Sequence, residues 1–183
     1  EFRRVLFRSG SKTYEKTAEV RNENLMQCLT NPFQYNIFID WCSAQVHDFA
    51  CLLYAFLNSA QVQESVRNAN IYKGRYNSNN DVYVHVRLDD ASHESPGYDY
   101  YDKALQACGA KQGYISSDSP DHPIVTSLAA KYNLTFFHED IVKTIQMASS
   151  SKYVIISHGT FSWLIAALSY DSTVYMPPLH YAE

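Results

Sequence analysis

The sequence is poor in the features that mark a nucleic-acid, membrane or metal protein. Charged residues make up 19% of the 183, with a formal net charge of −4. That balance leaves no basic footprint for nucleic acid or an anionic membrane, so any anionic ligand must be held by a few local groups. No run of about 18 apolar residues is present, so nothing in this sequence reads as a membrane span. The four cysteines, Cys28, Cys42, Cys51 and Cys108, form no CxxC pair and stand at no metal-ligand spacing with histidine. They read as core or free thiols and leave the compartment open between the Golgi lumen and the cytoplasm. There is no internal repeat and no low-complexity tract.

What is present suits a globular chain. Hydrophobic residues reach 46%, enough for a real core. The 15 tyrosines suit strands and half-buried surfaces first, and carbohydrate contact second. Asn133-Leu-Thr135 is a glycan-acceptor triplet by pattern, although such triplets are common by chance. The opening segment Glu1–Ser9 (EFRRVLFRS) resembles translated sequencing-adaptor sequence, and arginines interrupt what would otherwise be a signal-peptide core. Residues 1–10 are therefore set aside from fold reasoning, and both ends of the chain are expected to be cut.

A seam divides the remainder. Tyr72 to Asp81 (YKGRYNSNND) is polar and asparagine-rich, and reads as a linker or long turn. Before it, residues 11–80 read as mainly helical. Ser43 can cap a helix reaching about Arg67, with Val46, Phe49, Ala50, Leu53, Phe56, Leu57 and Ala60 as one apolar stripe. After it, residues 81–183 alternate short strands and helices. Strands are expected at 82–86, 114–116, 134–137, 153–156 and 173–175. Helices are expected at 98–108, 123–132, 141–148 and 161–168, the last apolar on nearly all sides and so buried. This β-α-β-α order predicts an α/β fold, a Rossmann-like parallel sheet with flanking helices. Ligands of such sheets bind beyond the carboxyl ends of the strands, which directs attention to the residues after Val86, Ser116 and Ile156.

Each of those positions carries polar chemistry and a plainer explanation. His85-Val-Arg87-Leu-Asp-Asp90 places a guanidinium fork, suited to phosphate oxygens, at a strand end. A surface ion pair from Arg87 to Asp89 or Asp90 explains it equally well, and His85 reads as a satisfied core histidine. Ser116-Ser-Asp118-Ser-Pro-Asp121 offers Asp118 to a base or ribose, or else Ser119 or Asp121 as a cap for the next helix. Ser157-His-Gly-Thr-Phe-Ser-Trp163 joins a glycine and hydroxyls to a helix start, where free N–H groups and the positive dipole end favour anions. Ordinary capping by Thr160 is the alternative.

These segments, taken in order, resemble a known family. His85-Val-Arg87-Leu-Asp-Asp90 is similar to the HxRxGD motif of glycosyltransferase family 11, the α-1,2-fucosyltransferases. Ser117-Asp118 resembles their SDD-type segment, and Ile156-Ser-His-Gly-Thr-Phe-Ser-Trp163 resembles ISNSTFSWW. A tyrosine-rich helix beginning near Tyr98 falls where relatives carry a YY-containing helix. The resemblance covers roughly residues 80–178. It implies one half of a GT-B architecture with GDP-fucose as donor and a glycan hydroxyl as acceptor, the present chain being a fragment that holds the donor-binding half. By position, Arg87 would hold the pyrophosphate, Asp118 would face the guanosine, and His85, Ser157, His158, Gly159, Thr160, Phe161 and Ser162 would line the donor-nucleotide site. No metal or other cofactor is implied, and Asp89-Asp90 is not an Asp-x-Asp metal motif.

The sequence also departs from the family. Asp89 replaces a glycine, Leu88 an arginine often found there, and Leu164 the second tryptophan, while Thr144 stands where relatives often have aspartate. A different nucleotide sugar is thus an alternative donor, and a non-catalytic nucleotide-binding or interaction fragment is the rival outside enzymology. The implied reaction is inverting sugar transfer. Arg87 would stabilise the leaving diphosphate. Asp90, His93 and Glu94 are candidates for the general base, and Asp90 is the one that matches the motif.

Overall fold

The computed structural model describes residues 5–7, 16–20, 35–39, 47–89, 93 and 95–178. The chain divides into two compact units, Glu1–Ser59 and Ala60–Glu183. In the first, strand β1 (Val5–Phe7) pairs antiparallel with β3 (Tyr35–Ile39), and β2 (Lys16–Val20) pairs parallel with β3. These strands were not foreseen in a stretch read as mainly helical, and β1 falls inside the segment set aside. The alternating apolar YNIFI of β3 is the signal that went unused.

The single helix expected from Ser43 to Arg67 is instead two, α1 (His47–Leu57) and α2 (Ala60–Ala69). The break has a local cause. Asn58 Nδ2 donates to the Tyr54 carbonyl at 2.9 Å and Ser59 Oγ donates to the Phe56 carbonyl at 2.8 Å. Such side chains satisfy the last carbonyls of a helix and compete with its continuation.

The second unit holds a five-stranded, wholly parallel sheet of order β6-β5-β4-β7-β8. Its strands are β4 (Val82–Val86), β5 (Gly113–Ser117), β6 (Leu134–Phe136), β7 (Tyr153–Ile155) and β8 (Thr173–Tyr175). The connecting helices are α3 (Tyr98–Cys108), α4 (Pro123–Tyr132), α5 (Ile141–Ser149) and α6 (Thr160–Ala167). The sequence-based α/β reading therefore holds, with strand ends displaced by one or two residues.

Central strand β4 is buried along its whole length, and its alternation builds both halves of the core. Val82, Val84 and Val86 pack with Tyr101, Leu105, Val125 and Leu128 of α3 and α4. Tyr83 packs on the other face with Met147, Val154, Ile156 and Ile165, from α5, β7 and α6. Each such aliphatic side chain contributes about 1.5–3 kcal/mol on full burial. Helix α6 is less enclosed than its composition suggests. Only Ser162 and Ile165 are buried in it, and Thr160 is exposed.

Gly113 makes the β4–β5 pairing possible. A Cβ there would collide with the Val82 carbonyl oxygen and lie 2.8 Å from both the Val82 carbonyl carbon and Cγ1. Backbone atoms in a paired strand cannot step aside, so no larger residue fits.

The seam is not a free linker. Arg75 Nη2 meets Asp81 Oδ2 at 2.9 Å, and Gln112 Nε2 donates to Asp81 Oδ1 at 2.9 Å. Asn79 Nδ2 donates to the Ser150 carbonyl at 2.9 Å, and buried Asn70 donates to the Gln146 carbonyl at 2.8 Å. The asparagines thus lace residues 70–81 across the amino ends of β4, β5 and β7.

Candidate functional site

Strand order decides where a ligand can enter. From β4 the chain steps through α3 and α4 to β5 and β6 on one side. It then crosses to β7 and β8 on the other. Order reverses between β4 and β7, and the crevice outside the carboxyl ends of two such strands is the usual ligand position in open α/β sheets. Arg87 immediately follows β4, and Ser157 to Ser162 follow β7. Arg87, Asp118 and Thr160 therefore stand at one edge of the sheet, as three parallel strands require.

The two lips of this crevice touch. A Cβ built on Gly159 would lie 2.7 Å from Arg87 Nη1. Gly159 has φ +104°, a region that side chains rarely adopt, and it is the N-cap of α6. No side chain caps this helix, so Thr160 is not the cap that the sequence offered as an alternative. The first helix-type bond runs from the Trp163 N–H to the Gly159 carbonyl at 3.0 Å, so the preceding amides of the turn are left for other partners. Gly159 and Thr160 are exposed, and Arg87, His158 and Phe161 are half-buried. A guanidinium and an uncapped helix start thus face solvent side by side.

His85 supports this arrangement from beneath. It lies on the α6 face of β4, opposite Val84 and Val86, with its ring edge-to-face against Phe161 at 5.2 Å. Its Nδ1 is 2.8 Å from Ser162 Oγ, and Ser162 Oγ donates to the His158 carbonyl at 3.2 Å. The histidine ring and the serine hydroxyl thus share one hydrogen bond, whose donor is set by the ring tautomer. Burial lowers the His85 pKa to about 4; nearby Asp118 opposes the shift and Arg87 adds to it. The ring is neutral at pH 7 and is the satisfied core histidine of the plainer reading.

Asp118 serves the same edge through the backbone. Its Oδ1 accepts from the Leu88 amide at 2.9 Å and its Oδ2 from the Asp89 amide at 3.2 Å. Both oxygens clamp the two residues that follow Arg87. The capping alternative for this segment fails, since the N-cap of α4 is His122, whose Nδ1 accepts from the Ile124 amide at 3.2 Å.

Two tyrosines of α3 complete the floor, where the sequence offered only a tyrosine-rich helix. Tyr100 Oη lies 2.9 Å from the Ile156 carbonyl and 2.9 Å from the Tyr175 carbonyl, bracing the ends of β7 and β8. Tyr101 is fully buried. Desolvation pushes its pKa up to about 12, with the adjacent Ser157 hydroxyl opposing and Asp118 adding. The Tyr101 hydroxyl has no partner at full hydrogen-bond geometry among the described residues, so Ser157 is a neighbour rather than an acceptor. Ser157 itself is 3% exposed, a lining residue from below.

Asp90 and Glu94, two of the candidate bases, lie outside the described residues. His93 is exposed in the same loop. Among the described residues no cluster of three or more His, Cys, Asp or Glu is placed to hold a metal ion. No described helix is long and apolar enough to cross a membrane.

No protein-family model matches this chain, and no curated protein matches it. Solved structures do. POFUT1 in complex with GDP is similar at 11% identity and TM-score 0.45, over 81% of this chain and 52% of that one. A high-resolution POFUT1–GDP structure is similar at 12% identity and TM-score 0.45, over 85% and 60% respectively. POFUT1 in complex with GDP-fucose is similar at 11% identity and TM-score 0.44, over 86% and 58%. The chain spans little more than half the length of the structures that it matches.

Proposed function

We propose that this chain carries the donor-binding half of a glycosyltransferase that uses GDP-fucose and transfers fucose, with inversion, to a glycan hydroxyl. The observation that carries the reading is the abutment of Arg87 on Gly159 at the uncapped start of α6. A diphosphate laid across that junction receives a two-donor fork from Arg87 and the first amides of α6. The order of motifs resembling α-1,2-fucosyltransferases supports the same assignment. In this reaction the acceptor oxygen attacks the anomeric carbon while the diphosphate leaves. Arg87 and the α6 amides stabilise the charge that develops on the leaving group, and no metal is needed for that task. Asp90 is assigned as the general base on its place in the motif. Ser157, His158, Thr160, Phe161 and Ser162 shape the donor site, with Ser162 acting through His85.

Calorimetry with GDP, guanosine, UDP and GDP-fucose tests the donor. Arg87→Ala should weaken GDP by about ten- to a hundred-fold, the equivalent of one charge-assisted hydrogen bond, while guanosine binding stays near its original value. Equal losses for both ligands would remove Arg87 from the phosphate. A preference for UDP would point to another nucleotide sugar, an outcome that exposed Asp89, standing in place of the family glycine, makes worth measuring.

A further inference from the structure

We propose that Asn133 is the acceptor of an N-linked glycan. Asn133-Leu-Thr135 is the chain's one Asn-x-Ser/Thr triplet, and its middle residue is not proline. Pattern alone carries little; the placement carries the argument. Asn133 ends α4 in the left-handed conformation, φ 51° and ψ 49°, with its backbone N–H bonded to the Ala129 carbonyl. Ending the helix uses only that backbone group, and among the described residues the side-chain amide has no hydrogen-bond partner. The Thr135 hydroxyl likewise has no hydrogen-bond partner among the described residues. Both residues are exposed, while Leu134 between them is 8% exposed and joins the core. The strand alternation thus turns the acceptor amide and the recognition hydroxyl outward together and fixes the segment from beneath.

Location adds a second line. Asn133 stands at the amino end of β6, whereas Arg87 and Gly159 lie at the carboxyl end of the sheet, so a glycan there leaves the candidate site open. Among the described residues strand β6 is also the edge of the sheet, paired only with β5, and it carries a 37% exposed Phe136. Unpaired edges invite association with other chains unless something covers them, and a large hydrated group at the start of this strand does so.

The modification is a group transfer from an oligosaccharide carried on a polyprenyl diphosphate. Asn133 Nδ2 forms a bond to the anomeric carbon as the bond from that carbon to the diphosphate oxygen breaks. The diphosphate leaves with the electron pair, and the amide releases one proton to the transferring enzyme.

The full chain is translated behind a cleavable leader in the presence of endoplasmic-reticulum microsomes, with an Asn-Gly-Thr triplet appended at its carboxyl terminus as an internal control. Only protease-protected chains are scored. Two glycans are expected, both removed by peptide N-glycosidase, and Asn133→Gln or Thr135→Ala should each leave one. A protected chain bearing only the control glycan overturns the proposal. So does retention of both glycans in Asn133→Gln.

Discussion

Arg87 Nη1 occupies the space, 2.7 Å away, that the first side-chain carbon of any residue other than glycine would need at position 159. The strand-end arginine and the helix-start glycine are therefore one feature, although 71 residues intervene between them in the sequence. Gly159→Ala tests it. The substitution must adopt φ +104° and push the guanidinium aside. Strain of this kind costs about 1–3 kcal/mol, so the melting temperature should fall. The guanidinium is the mobile end of a flexible side chain, so the fold should survive. GDP affinity should then drop about tenfold or more while guanosine binding changes little. Unchanged GDP affinity with a lowered melting temperature would show that the junction is structural only.

Asp118 offers a sharper discrimination. A carboxylate facing a base loses guanosine and GDP affinity alike when it is removed. Here both oxygens hold the Leu88 and Asp89 amides, the backbone that leads out of Arg87. Asp118→Ala should therefore resemble a weaker Arg87→Ala, with GDP affected more than guanosine. Each lost bond to a charged acceptor is worth about 1.5–3 kcal/mol, so the melting temperature should also fall. Calorimetry with the two ligands reads the ratio, and a larger loss for guanosine would restore the base contact that the family resemblance implies.

How much of this was legible in the sequence follows from how local each determinant is. The parallel sheet was readable because each strand of residues 82–175 is a short apolar run bounded by turn residues. The strand ends named Arg87, Asp118 and Thr160 because in a parallel sheet all carboxyl ends share one side. Roles assigned through tertiary contacts were not readable. Nothing local distinguishes an Asp118 that touches a ligand from one that clamps Leu88, 30 residues away. The cap of α4 was missed because His122, rather than Ser119 or Asp121, supplies the acceptor. The seam looked like a linker because asparagine favours turns, and the partners that fix it, Gln112, Gln146 and Ser150, come from distant parts of the chain.

The buried His85 makes stability depend on pH in a defined window. Its pKa is about 4 in the folded protein against 6.5 for a free side chain, so the unfolded chain binds a proton that the folded chain refuses. Stability from this residue is full above about pH 6.5, declines as pH falls from there toward 4, and levels off below. The slope for one proton is at most about 1.4 kcal/mol per pH unit. The physical cause is the burial of the ring. A charge there would sit at 8% exposure beside Arg87, a like charge. Denaturant midpoints measured between pH 4 and 7 should rise with pH, and His85→Gln should flatten that rise by the share of one titrating group. If the variant folds poorly, the ring protons of His85 in the native protein provide the same measurement, since their NMR shift should stay at its neutral value down to about pH 5. A midpoint near 6.5 would place the ring in solvent and dissolve the link between β4 and the start of α6.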